Sequence, residues 1–168
     1  YTISSLRIAW FKINYPEEYY CAYFTVRADE FDSKRMCLPP EEIRKSREKL
    51  RVAFREAPDR EQKIYYILEL VEEMQLRGIS FLPIDLYESE ATRFVKVSPG
   101  LIRPPLNAIP SISSAIAENI VRVRTEGPFK SRDELMRRAG IGQSAVETLA
   151  EAGCLNDLPE SAQMDMFA

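Results

Sequence analysis

The sequence predicts a mainly α-helical chain with one short β-hairpin, on three observations. Apolar residues recur at spacings of three and four through most of its length, the period of a helix with one buried face. Prolines and glycines fall between these runs, at Pro16, Pro39-Pro40, Pro58, Gly78, Gly127-Pro128 and Gly153. The period changes to alternation in one place, around residues 93–97.

Taken in order, the first element has Ile3, Leu6, Trp10 and Ile13 on one face of a helix that Pro16 ends. The aromatic segment after that proline, EEYYCAYFTVRA, suits a strand by propensity, but Tyr19, Ala22, Tyr23 and Val26 favour a helix buried on most sides. Between Pro39-Pro40 and Pro58, Ile43, Leu50, Phe54 and Ala57 stripe a charged surface helix. The next helix is expected to take Asp59 as N-cap, to bury Ile64, Ile67, Leu68, Val71 and Met74, and to stop at Gly78. Ser98-Pro99-Gly100 has the residue order of a type II turn, so Leu101 and Ile102 pair back on the alternating segment. From residue 106 to 158 the period is helical again, in two similar units. The resulting division is 1–90, a hairpin connector at 91–105, a helical domain at 106–158 and a tail at 159–168.

Composition removes several function classes. The chain has 168 residues, 23 basic and 26 acidic, for a formal net charge of -3, so any nucleic-acid contact must be local. Three cysteines and no histidine make neither a tetrahedral Cys/His zinc site nor a disulfide framework, and they point to a reducing, cytoplasmic setting. No metal site is expected. No apolar run is long enough to span a bilayer and no signal peptide opens the chain, so no membrane partner is expected. With Tyr1 at the front of an already amphipathic segment, the chain reads as an excised fragment. It shows no nucleophile and base pairing and no GxxxxGK phosphate loop, which argues against an enzyme within these residues.

Two segments carry chemistry. In LNAIPSISSAIAENIVRVR a short apolar turn, a hairpin at Pro110, Ser111, Ile112 and Ser113, and a helix starting near Ser113 or Ser114 follow one another. In SRDELMRRAGIGQSAVETLAEAGCL the hairpin is Gly140, Ile141 and Gly142, followed by Gln143 and Ser144. Ser131 with Glu134, and Ser144 with Glu147, have capping-box spacing. Such hairpins aim backbone N–H groups and a helix N-terminus at one point, where a phosphate oxygen binds without any base being read. Both glycines are expected to permit positive φ, and Ser111 and Ser113 to tolerate it poorly in their place. Arg122, Arg124, Lys130 and Arg132, with Arg137 and Arg138, are the nearby cations. The plainer alternative, two packed helical hairpins with no ligand, stays open at this point. The last residues, Gln163, Met164, Asp165, Met166 and Phe167, form an exposed apolar peptide with an amide at its head, suited to docking in a preformed cleft.

Several phrases carry a resemblance to a known family: AWFKINYPEEYYCAYFTVRADEFD, RGISFLPIDLYESEATRFV, PPLNAIPSIS, FKSRDELMRRAG and EAGCLNDLPESAQMDMF. Together they resemble the PolC-type alpha subunits of bacterial DNA polymerase III, over essentially the whole chain. The resemblance implies that residues 1–90 are the C-terminal part of a fingers domain and residues 106–158 a double helix-hairpin-helix module that binds duplex DNA. It implies that Gln163 to Phe167 bind the bacterial sliding clamp, with methionines where the family's peptide has leucines. The parent enzyme would be a DNA-directed polymerase with Mg2+ in a palm domain absent from these residues, so no catalytic residue is assigned; Arg7 and Lys12 read as surface charges. The remaining polymerase chain is thus a further partner. The alternative is a structural helical module whose only function is interaction through the terminal peptide.

Overall fold

The computed structural model describes residues 1–161, apart from the side chain of Asp29. Gln163, Met164, Asp165, Met166 and Phe167 lie outside the described residues. The chain is mainly helical with a small three-stranded sheet, and it divides into two compact units. Unit 1 comprises Tyr1–Pro83 and Arg93–Pro104; unit 2 comprises Ile84–Thr92 and Pro105–Ala168.

Unit 1 opens with helices α1 (Thr2–Asn14) and α2 (Pro16–Val26), separated by Tyr15, with Pro16 at the first position of α2 where its missing N–H costs nothing. In α2 the buried residues are Tyr20 and Phe24; Val26 and Ala22 of the expected face are exposed. A segment apolar on nearly every side does not select its face by period. Here it is selected by Tyr20, whose hydroxyl donates to Glu73 Oε1 at 2.9 Å and so tolerates complete burial. Phe24 packs edge to face on Phe31 and Phe81, and Phe94 joins the same cluster with its centroid 4.8 Å from that of Phe31.

Helix α3 (Ser33–Met36) is capped by Asp32, and α4 (Pro40–Val52) buries Ile43 alone. The charged helix ends at Val52, short of the expected Ala57. Helix α5 (Asp59–Leu76) buries all five expected residues. Its N-cap is Pro58 rather than Asp59, which sits in the first turn, where its charge complements the helix dipole. Gly78 at φ 78° ends it, with Gly78 N–H donating to Gln75 O and Ile79 N–H to Met74 O.

Strands β2 (Val95–Ser98) and β3 (Leu101–Arg103) form the expected antiparallel hairpin, with Gly100 at φ 78° in its turn. A third strand, β1 (Ser80–Phe81), pairs parallel with β3. Two residues carry no readable period, so sequence pattern does not reveal β1.

Unit 2 is helical: a 3₁₀ turn at Leu106–Ala108, then α6 (Ser114–Arg124), α7 (Arg132–Ala139) and α8 (Gln143–Glu151). One apolar core, including Leu106, Ile120, Leu135 and Leu149, joins these elements to Leu86.

Candidate nucleic-acid interface

The second hairpin is built from α7 and α8. Ser131 caps α7 by accepting from Glu134 N–H at 3.1 Å, and the Glu134 carboxylate accepts from Lys130 N–H at 2.7 Å. Gly140 then takes a left-handed conformation (φ 63°, ψ 36°) that turns the chain back. Ile141 drops into the core, its N–H donating to Met136 O at 3.1 Å. Gly142 (φ -80°, ψ 166°) is the N-cap of α8 and has no side chain to satisfy the first-turn N–H groups.

The first hairpin repeats this path residue by residue. Ser111 is left-handed at φ 72°, the non-glycine residue with positive φ among the described residues. Ile112 is buried in the core, and Ser113 (φ -71°, ψ 159°) is the N-cap of α6. Ser111, Ile112 and Ser113 therefore correspond to Gly140, Ile141 and Gly142. Positive φ is required only at the first step of each hairpin, not at both glycine positions as the sequence suggests. The two hairpins differ at the third step: the Ser113 hydroxyl accepts from Ile116 N–H at 3.3 Å, whereas α8 has no such cap.

The hairpin tips face solvent. Ser111, Ser113, Gly140, Gly142, Gln143 and Ser144 are exposed, Pro110 and Ser114 half-buried, and Ile112 and Ile141 hold the tips to the core. The expected capping box at Ser144 and Glu147 does not form. Helix α8 starts at Gln143, so Ser144 is already helical, and Glu147 accepts instead from Gln143 Nε2 at 3.1 Å. A Cβ at Gly142 would meet no atom within 4 Å, so neither backbone conformation nor packing requires glycine there.

The cations separate into two sets. Arg124 donates to Leu86 O and Ser89 O at 2.9 and 2.6 Å, and Arg132 to Leu158 O at 3.1 Å. Arg138 donates to Val123 O and Gly127 O and lies over the Phe129 ring, 4.6 Å from its centroid. These three guanidinium groups tie loops together. Arg122, Lys130 and Arg137 are exposed. Unit 2 has 6 Lys and Arg against 12 Asp and Glu, so general attraction to a polyanion is unavailable and any phosphate contact must be local.

Residues 78–164 match the family of the helix-hairpin-helix motif. The chain belongs to the helix-hairpin-helix family. Helix-hairpin-helix geometry accounts for both tips: a left-handed first step, an inward isoleucine and a helix N-cap at the third. Beyond that motif, 167 residues are 41 % identical to "DNA polymerase III PolC-type" of Clostridium perfringens, 42 % to that of Halalkalibacterium halodurans and 40 % to that of Bacillus subtilis. Each match covers 99 % of this chain and 12 % of the relative, so this helix-hairpin-helix chain spans about an eighth of the length of the polymerases it matches.

Proposed function

We propose that the chain is part of a replicative DNA polymerase and grips duplex DNA through phosphates without reading its sequence. The observation that carries this reading is the open N-terminus of α8 at Gly142. Glycine is required there neither by φ nor by internal packing, and an uncapped first turn leaves N–H donors for an anion. The phosphate ligands are the N–H groups at Gly142, Gln143 and Ser144, with Arg122 and Lys130 as outer charges. The equivalent path at Pro110 to Ser114 supplies the second contact, and two hairpins holding two strands suit a duplex. Arg124 and Arg132 act by holding the loops behind the tips.

In the same reading Gln163 to Phe167 tether the polymerase to its sliding clamp, and tethering raises the effective concentration of the hairpins at DNA. Nucleotidyl transfer belongs to the rest of the polymerase. Among the described residues no cluster of three or more His, Cys, Asp or Glu is placed to hold a metal ion. No helix among them is long and apolar enough to cross a membrane.

Fluorescence anisotropy on two duplexes of unrelated sequence tests the grip. Equal affinities that fall together as salt rises are expected. A strong preference for one duplex, or no binding at low salt, overturns the reading and leaves the hairpins as packing elements beside a clamp peptide.

A further inference from the structure

The first four N–H groups of a helix have no partner within it, and α7 finds one for each. Glu134 N–H donates to Ser131 Oγ at 3.1 Å and Leu135 N–H to Ser131 O at 3.0 Å. The other two reach the chain that follows the core: Arg132 N–H donates to Pro159 O at 2.8 Å and Asp133 N–H to Glu160 O at 3.2 Å. The Arg132 side chain closes the same clip. Its Nε donates to Leu158 O at 3.1 Å, and its guanidinium stands 3.9 Å from the Glu160 carboxylate.

Packing does not demand this clip. Leu158 is the last residue of the apolar core, and Pro159, Glu160 and Ser161 are exposed. Holding exposed backbone in one conformation costs entropy, which Pro159 lowers by restricting its own φ beforehand. What the clip fixes is the point from which the chain leaves unit 2. Only Ser161 and Ala162 separate Glu160 from Gln163, and three residue steps of extended chain reach at most about 11 Å. Arg132, Asp133 and Glu160 also line a groove of about 470 Å³ that Gln143, the first residue of α8, lines as well. The clip therefore stands beside the N–H donors proposed for phosphate.

We infer that the N-terminus of α7 anchors the clamp-binding peptide: Pro159 and Glu160 are held on it so that Gln163 to Phe167 engage the clamp on a two-residue leash, next to the duplex that the hairpins grip. Arg132 is thus a positioning residue for the clamp. This rests on the reading of Gln163 to Phe167 as the clamp peptide. A short leash raises effective concentration only where clamp and duplex are presented together, so it contributes with a ring threaded on DNA and not with a free ring.

Arg132→Pro separates the clip from the fold. Arg132 is the first residue of α7, where helices accept proline, and Ser131 before it is already extended (φ -158°, ψ 167°). The substitution removes the N–H that donates to Pro159 O together with the guanidinium, and so releases two further residues into the leash. In the full-length polymerase that carries this chain, affinity for sliding clamp threaded on duplex DNA should fall about 3-fold, as the -3/2 power of a leash lengthened from two residues to four. Eight Gly and Ser residues inserted between Ser161 and Ala162 leave the clip intact and should lower that affinity about 10-fold. Free clamp should bind both variants like the parent. Parental affinity for threaded clamp in the insertion variant, or in a folded Arg132→Pro protein, overturns the inference. A lower thermal midpoint in Arg132→Pro without that loss makes the clip a stability element alone. A parent that does not bind free clamp overturns the peptide reading and this inference with it, whereas normal free-clamp binding with no loss on threaded clamp overturns this inference only.

Discussion

Ser111 and Gly140 hold the same left-handed backbone conformation, φ 72° and 63°, at the same step of two hairpins that otherwise share their path. A Cβ at such a φ costs about 1–2 kcal/mol, partly offset by the extra unfolded-state freedom of glycine. Ser111→Gly is therefore expected to raise unfolding stability by up to about 1 kcal/mol, and Gly140→Ser to lower it by about as much. Urea denaturation of the two variants measures both. A destabilised Ser111→Gly would mean that its side chain, not its backbone, matters.

The third step separates stability from binding. Ser113→Ala removes the cap on Ile116 N–H and should cost about 1 kcal/mol. Gly142→Ser provides α8 with a cap side chain, so stability should change by only a few tenths of a kcal/mol. Its hydroxyl, however, competes with a phosphate for the first-turn N–H groups, so duplex affinity should fall. A Gly142→Ser protein that binds DNA as well as the parent would place the phosphate contact elsewhere.

The hairpins were legible because their signals are local. Ser131, Gly140 and Gly142 each act within four residues, and Ile112 and Ile141 stand between serines and between glycines. The roles of Arg124 and Arg138 were not legible. Each donates to carbonyls on segments 10 to 38 residues away, which no charge pattern along the chain reports. The same holds for α2, where buried Tyr20 donates a hydrogen bond to Glu73, 53 residues on. The two-residue strand β1 exists only through its pairing with β3. Helix α8 starts at Gln143, two residues before the start that the Ser144 and Glu147 spacing implies, so Ser144 lies inside it.

The division among the cations has its own test. Arg124→Ala leaves the carbonyls of Leu86 and Ser89 without a charged donor and should cost about 2 kcal/mol, while duplex affinity of the folded protein changes little. Arg122→Ala should leave stability nearly unchanged and reduce the salt slope of duplex binding by about one counterion. Thermal melts and a salt titration distinguish the two; the reverse pattern would put Arg124 at the DNA.

Glu73 links α1 to the rest of unit 1 in a pH-dependent way. Burial favours the neutral carboxyl, but hydrogen bonds from Lys12 and Tyr20, with Arg77 nearby, hold its pKa below the usual carboxylate range. A depressed pKa contributes stability above the unfolded value, and that contribution is lost as pH falls through the folded one. Exchange at the α1 C-terminal turn should therefore rise as the solution is acidified below pH about 4. In Glu73→Gln the exchange should already be fast at neutral pH and lack that acid transition. An unchanged acid transition in the variant would assign it to another group.

The peptide at Gln163 to Phe167 follows Leu158, the last residue of the apolar core of unit 2, so its removal should leave that core intact. Deleting residues 163–168, or changing Met166 and Phe167 to alanine, should abolish binding to the sliding clamp and leave the thermal midpoint and duplex affinity within error of the parent. Replacing Met164 and Met166 with leucine should preserve or tighten clamp binding, because leucine fills the same cleft with less rotamer freedom to lose. Calorimetry against purified clamp decides. If the truncated chain binds with parental affinity, the clamp contact lies in a folded unit. If the leucine variant binds far more weakly, the cleft recognises the thioether rather than apolar volume.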